Sequence, residues 1–523
     1  MKTLKELLED LECEYPARAG DTGIAALVYD SRSLSAGCLF VAIKGAKFDG
    51  HSAIVAAAEA GAAAVLAQEA DEAQRKACEE AGCVLVITPD TRLALGVVSA
   101  AWFDHPADRL VTIGITGTKG KSSSAILAVA GLRGLGIPCG MIGTIEVDTT
   151  QRRIPAKNTT PESYELQSYL AEMLKAGCRA VVMEVSSQGL MMHRTAGMRF
   201  TVGVFTNISP DHIGPNEHKD FEDYLHCKSL LFKCCDTACI NCDDPHAGDM
   251  LKECTARRVW RFGLGEEAEL KAEEVQLYTG GGHLGVRFAM KGIGEGSIAV
   301  EQPFPGRFSV SNILSAMAAS HTAAKALAVE GTEEEIAERL LEGFRGAVVK
   351  GRIELLPVSD SYTLMIDYAH NAMALESLLK TLREYGSGRI VSLFGCGGNR
   401  ARSRRYEMGE VSGRLADLTV ITSDNPRDEE PMDIIADIVE GMKKTDGEYI
   451  TIPDRKEAIA RCIADAKAGD IIVLAGKGHE DYQEIKGVKY PMDERRLVLE
   501  ILKERGDDAA AERMLKRYPE LSS

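Results

Sequence analysis

The chain has 523 residues, 45% of them hydrophobic and 27% charged, with a formal net charge of −17. That length holds about three domains with real cores, and the composition is that of an ordinary soluble globular protein. The acidic balance disfavours general nucleic-acid binding, which asks for a basic face, so any anionic ligand must be held by local basic residues.

Residues 1–16 (MKTLKELLEDLECEYP) alternate charge with leucine and lack the unbroken apolar core of a signal peptide. Nowhere do about twenty apolar residues run together, so no membrane span is expected. The 14 cysteines are scattered, which suits a reducing cytoplasm better than a disulfide framework. Only Cys234, Cys235, Cys239 and Cys242 cluster. Their spacing lacks a paired CxxC arrangement and the segment reads as a turn entering a strand, which disfavours zinc.

In chain order, residues 3–11 read as an amphipathic helix that opens a small α/β module extending to about residue 104. Within residues 30–51 (DSRSLSAGCLFVAIKGAKFDGH) an apolar strand at 38–43 is flanked by polar loops. Ser31, Arg32 and the Asp49-Gly50-His51 turn offer hydroxyl, guanidinium and imidazole donors, a grouping more often turn chemistry than a ligand site. Residues 53–67 are alanine-rich and read as helix, then strand.

Residues 109–124, RLVTIGITGTKGKSSS, are the most informative stretch. A β-branched strand at 110–115 runs into a helical pattern from Ser122, which makes Gly117 to Lys121 a strand-to-helix loop. Gly117 and Gly120 let backbone N–H groups point inward, and the helix start adds partial positive charge. Lys121 and Ser122 then stand where a phosphate-binding loop puts its lysine and its magnesium hydroxyl. The strict spacing is not met, because Ile115 occupies the position that should be glycine. Nucleotide binding is still favoured over a merely structural turn.

A strand at 139–145 follows, then Asn158-Thr159-Thr160-Pro161-Glu162, in which Thr160 reads as a helix N-cap with Pro161 in the first turn. The strand at 179–187 ends in Glu184-Val185-Ser186-Ser187, and a carboxylate there is what a bound magnesium needs. Another strand, 201–209, leads into Asp211-His212. In the helical segment 221–233, Lys228 shares a mostly apolar face with Tyr224, Leu225, Leu231 and Phe232. A lysine there would normally snorkel to solvent, and the residues alone leave its role open. Residues 276–290 read as a hairpin through Gly280, Gly281 and Gly282, and 309–327 and 332–344 as two closing helices.

The last third is the most regular. Strands at 363–368, 389–394, 418–422, 448–452 and 471–475 alternate with helices at 371–385, 402–416, 431–444 and 456–468, the pattern of a doubly wound parallel sheet. Four strand ends carry polar clusters: Asp367 with His370, Asn399 with Arg400, Asp424-Asn425-Pro426-Arg427, and Gly476-Lys477-Gly478-His479-Glu480. They would share one rim, where such sheets bind ligands, and its mix of acids, arginines and Asn425 suits a small molecule with amino and carboxylate groups. The charged, alanine-rich tail from about residue 506 has no decisive pattern.

GTKGKSS, NTTPE, MEVSSQGL with a following HR, SPDH with a later lysine, DYAHN, DNPR and GKGHE stand in the order seen in the Mur ligases, and the last two motifs resemble the MurE group. The resemblance spans essentially the whole chain, from Asp30 to Gln483. It implies an α/β protein of three domains: residues 1–104 for the UDP-muramoyl substrate, 105–345 as a central P-loop ATPase, and 346–523 as a C-terminal Rossmann-like doubly wound domain for the incoming amino acid. The implied reaction belongs to peptidoglycan precursor synthesis. ATP phosphorylates the free carboxylate of D-glutamate in UDP-N-acetylmuramoyl-L-alanyl-D-glutamate, and the amine of a third amino acid displaces phosphate to leave an amide.

By resemblance, Gly117, Thr118, Gly120, Lys121, Ser122 and Ser123 cradle ATP, and Asn312, Arg352, Asp367 and His370 complete its site. Ser122 and Glu184 bind one magnesium, and His212 helps bind a second. The lysine matching Lys228 is carbamylated in the family, which turns a cation with an ordinary pKa of about 10.4 into an anion able to face magnesium. Ser31, Thr159, Thr160, Ser186 and Arg194 match positions that hold the UDP-muramoyl peptide. Arg400, Asp424, Asn425, Arg427, Gly476 and Glu480 fall in the diaminopimelate-binding motifs. Diaminopimelate ends in a zwitterion whereas lysine ends in an ammonium alone, so an arginine at 427 favours diaminopimelate, and lysine-adding members usually lack it.

The chain departs from the family at Gln188 (commonly histidine), Met192 (glutamine), Ser309 (asparagine), Ala372 (proline) and Asn399 (aspartate). Gln188 and Met192 fall near the expected UDP-peptide site. The alternatives are the same ligation with L-lysine, a folate-polyglutamate type of acceptor, or a non-catalytic nucleotide-binding regulator, which would be expected to have lost Lys121, Glu184, His212 or Lys228. A cytoplasmic monomer acting on small molecules, with neither nucleic acid nor membrane as partner, is expected.

Overall fold

The computed structural model describes every residue except 17–18, 46–47, 215–216, 387 and 523, so part of the segment 30–51 and the last residue of the tail lie outside the described residues. The chain forms two compact units. The first is Met1–Lys271 with Lys291–Gly296 and Ser311–Gly346; the second is Ala272–Met290 with Ser297–Val310 and Ala347–Ser523. Among the described residues no helix is long and apolar enough to cross a membrane.

Besides the short antiparallel pair Lys2–Thr3 and Gly23–Ile24, the first unit holds two larger sheets. The smaller is parallel, in the order Ala26–Val28, Cys38–Val41, Ala64–Ala67, Val84–Ile87. Every residue of its two middle strands is buried, as expected of parallel strands covered on both faces. The larger sheet runs Cys139–Ile142, Ala180–Glu184, Val111–Thr116, Phe200–Phe205, Cys235–Asn241, Arg258–Gly263, all parallel, with short antiparallel strands Glu146–Asp148 and Arg153–Pro155 outside Cys139–Ile142. Register pairs Glu184 with Ile115 and Phe205 with Thr116, so three neighbouring strands end level with one another. That alignment delivers the Gly117 loop, Glu184 and the Thr206-Asn207 turn to one edge, the carboxyl end where open α/β sheets bind ligands.

The strand Phe200–Phe205 stops short of the expected residue 209 because Thr206 and Asn207 turn to serve the neighbouring loop. Asn207 accepts the Thr118 N–H at 2.8 Å through its carbonyl, and the Thr206 hydroxyl donates to the Lys119 carbonyl at 2.7 Å. The strand Ala180–Glu184 likewise ends early, since Ser186 caps the short helix Ser187–Met191 by accepting from the Gly189 N–H at 3.0 Å. Thr160 is not the helix cap read from the sequence. The helix Ser163–Lys175 starts after Glu162, and the Thr160 hydroxyl instead donates to the Glu184 carbonyl at 3.1 Å and accepts the Ser186 N–H at 3.0 Å.

The second unit carries a six-stranded sheet in the order Glu354–Leu356, Thr363–Asp367, Ile471–Ala475, Ile390–Phe394, Leu418–Ile421, Tyr449–Thr451, parallel except for its first edge strand. These are the five predicted strands plus one. The helices Ala372–Arg383, Ser403–Leu415, Pro431–Met442 and Arg455–Ala464 occupy the predicted helical stretches. Apolar cores lie against both faces. Because the four inner strands are parallel, their polar ends share one rim, as predicted. The tail is ordered: Asp507 caps the helix Asp508–Arg517, Met514 is buried, and the Tyr518 hydroxyl donates to the buried Glu354 carboxylate at 2.8 Å.

Candidate active site

The Gly117–Lys121 turn needs its glycines for space as much as for conformation. Gly117 has φ +150, and a β-carbon there would lie 1.9 Å from the Thr206 hydroxyl. Gly120 has φ +83, and its β-carbon would lie 2.4 Å from the Asn312 amide oxygen, so Asn312 sits directly against the loop. The helix Lys121–Gly134 begins here with Ser122 and Ser123 in its first turn, leaving backbone N–H groups and the positive end of the helix at the loop. The Lys121 ammonium curls over the loop, donating to the Gly117 carbonyl at 2.8 Å and the Thr118 carbonyl at 3.1 Å. Thr118 is tied to Tyr224 through a 3.0 Å hydroxyl contact.

Glu184 is fully buried. One carboxylate oxygen accepts from the Ser122 hydroxyl at 2.9 Å and the Thr144 hydroxyl at 3.0 Å, and the other accepts the Thr144 N–H at 2.9 Å. A hydroxyl beside a carboxylate is an oxygen-only donor set, which fits a hard divalent cation such as magnesium. The sequence reading missed Thr144. Its only signal was its place just beyond the apolar strand Cys139–Ile142, at the same edge as Glu184.

Lys228 does not snorkel. Its side chain is 2% exposed, its ammonium donates to the Gly117 carbonyl at 2.9 Å, and it stands 4.5 Å above the Tyr224 ring. Burial, reinforced by the nearby charge of Lys121, drives its pKa well below the ordinary lysine value. His212 is exposed, with a left-handed backbone (φ +54) and its Nδ1 3.0 Å from Glu217. Its carbonyl accepts the His218 N–H at 3.0 Å. His218 was also missed: it is fully buried and bridges the Ser187 hydroxyl (2.8 Å) and the Asp223 carboxylate (3.1 Å). His218, Asp223 and Cys227 are grouped closely enough to hold an ion, but these bonds already engage both imidazole nitrogens.

The residues expected to hold the UDP-muramoyl peptide gather in part. Thr159 shares a 3.1 Å hydroxyl contact with Thr144, Thr160 is 3.2 Å from Ser186, and the Arg194 guanidinium donates to the Thr160 carbonyl at 3.0 Å. Glu162 holds Arg194 in a 2.6 Å ion pair. Met192 lays its sulfur 3.9 Å from the same guanidinium, which gives that departure a definite neighbour. Ser31 lies in the short turn Ser31–Ser33, capped by Asp30, and among the described residues no hydrogen bond joins it to this group. The Asp49-Gly50-His51 segment is turn chemistry, with Asp49 capping Gly50–Ala53 and His51 accepting the Gln68 N–H.

Asp367 is almost wholly buried and accepts the Ile353 and Ala369 N–H groups, each at 2.8 Å; burial nevertheless raises its pKa. Arg352 lies 5.1 Å over the Tyr368 ring, which also contacts the rings of His370 and His479. Burial, with the charge of Arg352, lowers the His479 pKa. Asn371 caps Ala372–Arg383, so Ala372 takes the first helical position, where the family's proline also fits. Ser309 donates to the Pro305 carbonyl at 2.6 Å.

Farther along the rim, Lys477, named from the sequence as part of its cluster but given no role, is fully buried. Its ammonium donates to Asn425 and Glu480, each at 3.0 Å, and to the Tyr482 carbonyl, while the Asn425 amide donates to Glu480 at 2.8 Å. Burial pushes the Glu480 carboxyl up, but the Lys477 charge and the hydrogen bonds from Lys477 and Asn425 outweigh it and hold the group below the usual carboxylate range. Gly476 (φ +105) leaves the Asp424 carboxylate 3.0 Å from where its β-carbon would stand. Arg427, also left-handed (φ +53), pairs with Glu484 at 3.1 Å and donates to the Gly398 carbonyl at 2.7 Å, whereas Arg400 is exposed.

Three family descriptions match successive parts of the chain: "Mur ligase family, catalytic domain" over residues 23–104, "Mur ligase middle domain" over 115–320, and "Mur ligase, glutamate ligase domain" over 351–478. The UDP-N-acetylmuramoyl-L-alanyl-D-glutamate–2,6-diaminopimelate ligase of Clostridium perfringens is 37% identical over 505 residues, 95% of this chain and 99% of that protein. The protein of the same name from Caldanaerobacter subterraneus is 38% identical over 502 residues, covering 96% and 99%. A solved structure of a ligase of this name is similar with a TM-score of 0.73 at 28% identity, covering 97% of this chain and 99% of that one.

The Glu480 environment fixes a pH dependence. A carboxyl whose folded pKa is depressed contributes stability that is complete above its unfolded pKa and lost as the pH falls through the folded one. Replacing Glu480 by Gln leaves the Lys477 ammonium buried with only neutral oxygens, a loss of about 3 kcal/mol at neutral pH. Amide exchange of the strand Ile471–Ala475 in denaturant should show that loss, and the gap from the wild type should close as the pH drops below the usual carboxylate range.

Proposed function

The chain belongs to the Mur ligase family, and on that footing we propose that it joins meso-diaminopimelate to UDP-N-acetylmuramoyl-L-alanyl-D-glutamate at the expense of ATP. The observation that carries this reading is the rim at the carboxyl ends of the second unit's strands. There, Arg427 is paired with Glu484, Arg400 is exposed, and the Glu480 carboxylate stays ionised beside Asn425. The two arginines suit the distal carboxylate of the acceptor and Glu480 its ammonium, with Asp424 and Gly476 lining the same place. The full-length relatives that are named diaminopimelate ligases support the same acceptor.

A carboxylate at neutral pH is a poor electrophile. Transfer of the γ-phosphoryl group of ATP to it releases ADP and leaves an acyl phosphate. The acceptor amine then attacks the acyl carbon, the bond to phosphate breaks, inorganic phosphate leaves, and the amine's surplus proton is lost. Lys121 and the N–H groups of the Gly117–Ser123 turn hold the β- and γ-phosphates, offsetting oxyanion charge where it gathers. Ser122 and Glu184 would hold magnesium, which when bound neutralises phosphate oxygens. His212 and Lys228 would hold a second ion. Asn312, which lies against the loop, takes part of ATP; Ser31, Thr159, Thr160, Ser186 and Arg194 take the UDP-muramoyl peptide. In this reading residues 1–104, 105–345 and 346–523 are the three substrate-handling domains of a cytoplasmic monomer.

Lys228 is carbamylated in this account. A depressed pKa favours the neutral, nucleophilic form of its amine; attack on CO2 forms an N–C bond, releases one proton and gives an anionic carbamate. With bicarbonate enriched in the NMR-active carbon isotope, the protein should show one slowly exchanging carbamate resonance that the Lys228→Ala variant lacks. Ligase activity of that variant should fall by roughly a hundredfold or more. A variant with wild-type activity would exclude the carbamate.

Purified protein with ATP, magnesium and the UDP-dipeptide should yield a tripeptide product by mass spectrometry with meso-diaminopimelate and not with L-lysine. Product with lysine alone would keep the ligase and remove the acceptor assignment.

A further inference from the structure

Two loops leave neighbouring strands of the second unit's sheet: one follows Ile390–Phe394 and carries Arg400, the other follows Leu418–Ile421 and carries Arg427. Their backbones are in contact. A β-carbon on Gly398 would lie 1.9 Å from the Pro426 carbonyl oxygen, and the Gly398 N–H donates to the Asn425 carbonyl at 2.8 Å. Between Gly398 and Arg400 stands Asn399, in the left-handed region (φ +54), which asparagine tolerates better than most residues. Its side-chain amide donates to the Asp428 carboxylate at 2.5 Å, and its backbone N–H donates to the Glu429 carboxylate at 2.6 Å.

Glu429 is itself anchored. The same oxygen accepts from Arg405 at 2.7 Å, and Arg405, 1% exposed, is fixed in turn by Asp437 at 2.9 Å. The Arg405 hydrogen bond holds the Glu429 carboxyl below the usual carboxylate range. Thus a buried arginine inside the sheet's helical layer, through one carboxylate, pins the backbone next to an arginine that has no ion pair among the described residues.

We propose that Asn399, Asp428 and Glu429 form a clamp that sets the spacing of Arg400 and Arg427, and that they are positioning residues for the acceptor's distal carboxylate. The inference rests on the acceptor site proposed above. Two cationic side chains that must converge on one carboxylate repel each other when it is absent, so their loops need a restraint independent of the ligand. Asn399 supplies it only as an amide: an aspartate there would set two carboxylates at hydrogen-bond distance and push the loops apart.

The test uses full-length enzyme and steady-state kinetics with the acceptor amino acid that the wild type consumes. Asn399→Asp and Glu429→Ala should each raise the acceptor KM by roughly tenfold to a hundredfold, with the ATP KM and the melting temperature of the exposed-site variant Asn399→Asp unchanged. Adding Asp428→Asn to Asn399→Asp re-forms the hydrogen bond in the opposite sense and should restore the KM, and Glu429→Gln, which keeps an acceptor oxygen, should stay close to wild type. A merely structural role would move the melting temperature and leave the KM alone. Wild-type acceptor KM in Asn399→Asp, or no recovery in the double variant, overturns the clamp. A wild type that consumes no acceptor sinks the ligase reading itself, which separates the two failures.

Discussion

Two titratable side chains buried beside the Gly117–Lys121 turn constrain the first unit. Glu184 is fully buried and Lys228 nearly so, and neither could stay ionised in an apolar interior without partners. Glu184 accepts from three donors, the Ser122 hydroxyl and both polar groups of Thr144. Lys228 has one carbonyl and the face of Tyr224, with Lys121 as a cationic neighbour, and its pKa falls accordingly. The level ends of Ala180–Glu184, Val111–Thr116 and Phe200–Phe205 place this chemistry, so the parallel register of the sheet is itself part of the site.

The second unit solves a different electrostatic problem, holding several charges of both signs on one rim. Lys477 is buried against Asn425, Glu480 and the Tyr482 carbonyl, which leaves Glu480 ionised and half-covered. The arginines are treated unequally: Arg427 is tethered to Glu484 and Gly398, and Arg400 is held through the backbone beside it. On this acidic chain the positive charge of the rim is local and set by loop geometry.

Much of this was legible in the sequence, for identifiable reasons. The alternation of apolar strands and helices between residues 363 and 475 is strong because parallel strands are buried on both faces, and it located five strands to within a residue or two. The phosphate loop announced itself through two glycines whose positions admit no β-carbon. Thr160 was misread because a threonine before a proline is good cap chemistry, and only the neighbouring strand end shows that its hydroxyl is taken by Glu184 and Ser186. Thr144, His218 and the role of Lys477 escaped for a related reason. Each also bonds a partner distant in sequence, Glu184, Ser187 and Asn425 respectively, and no local pattern distinguishes a buried, bridging side chain from a surface one.

Activation of a carboxylate by phosphorylation is the central step of the proposed reaction. The most direct measurement supplies the UDP-dipeptide with heavy oxygen in the D-glutamate carboxylate and follows the label during turnover with ATP and the acceptor. An acyl phosphate requires one labelled oxygen to leave in each inorganic phosphate released. Amide product accompanied by unlabelled phosphate would contradict the account, because the carboxylate oxygen would then have left by another route.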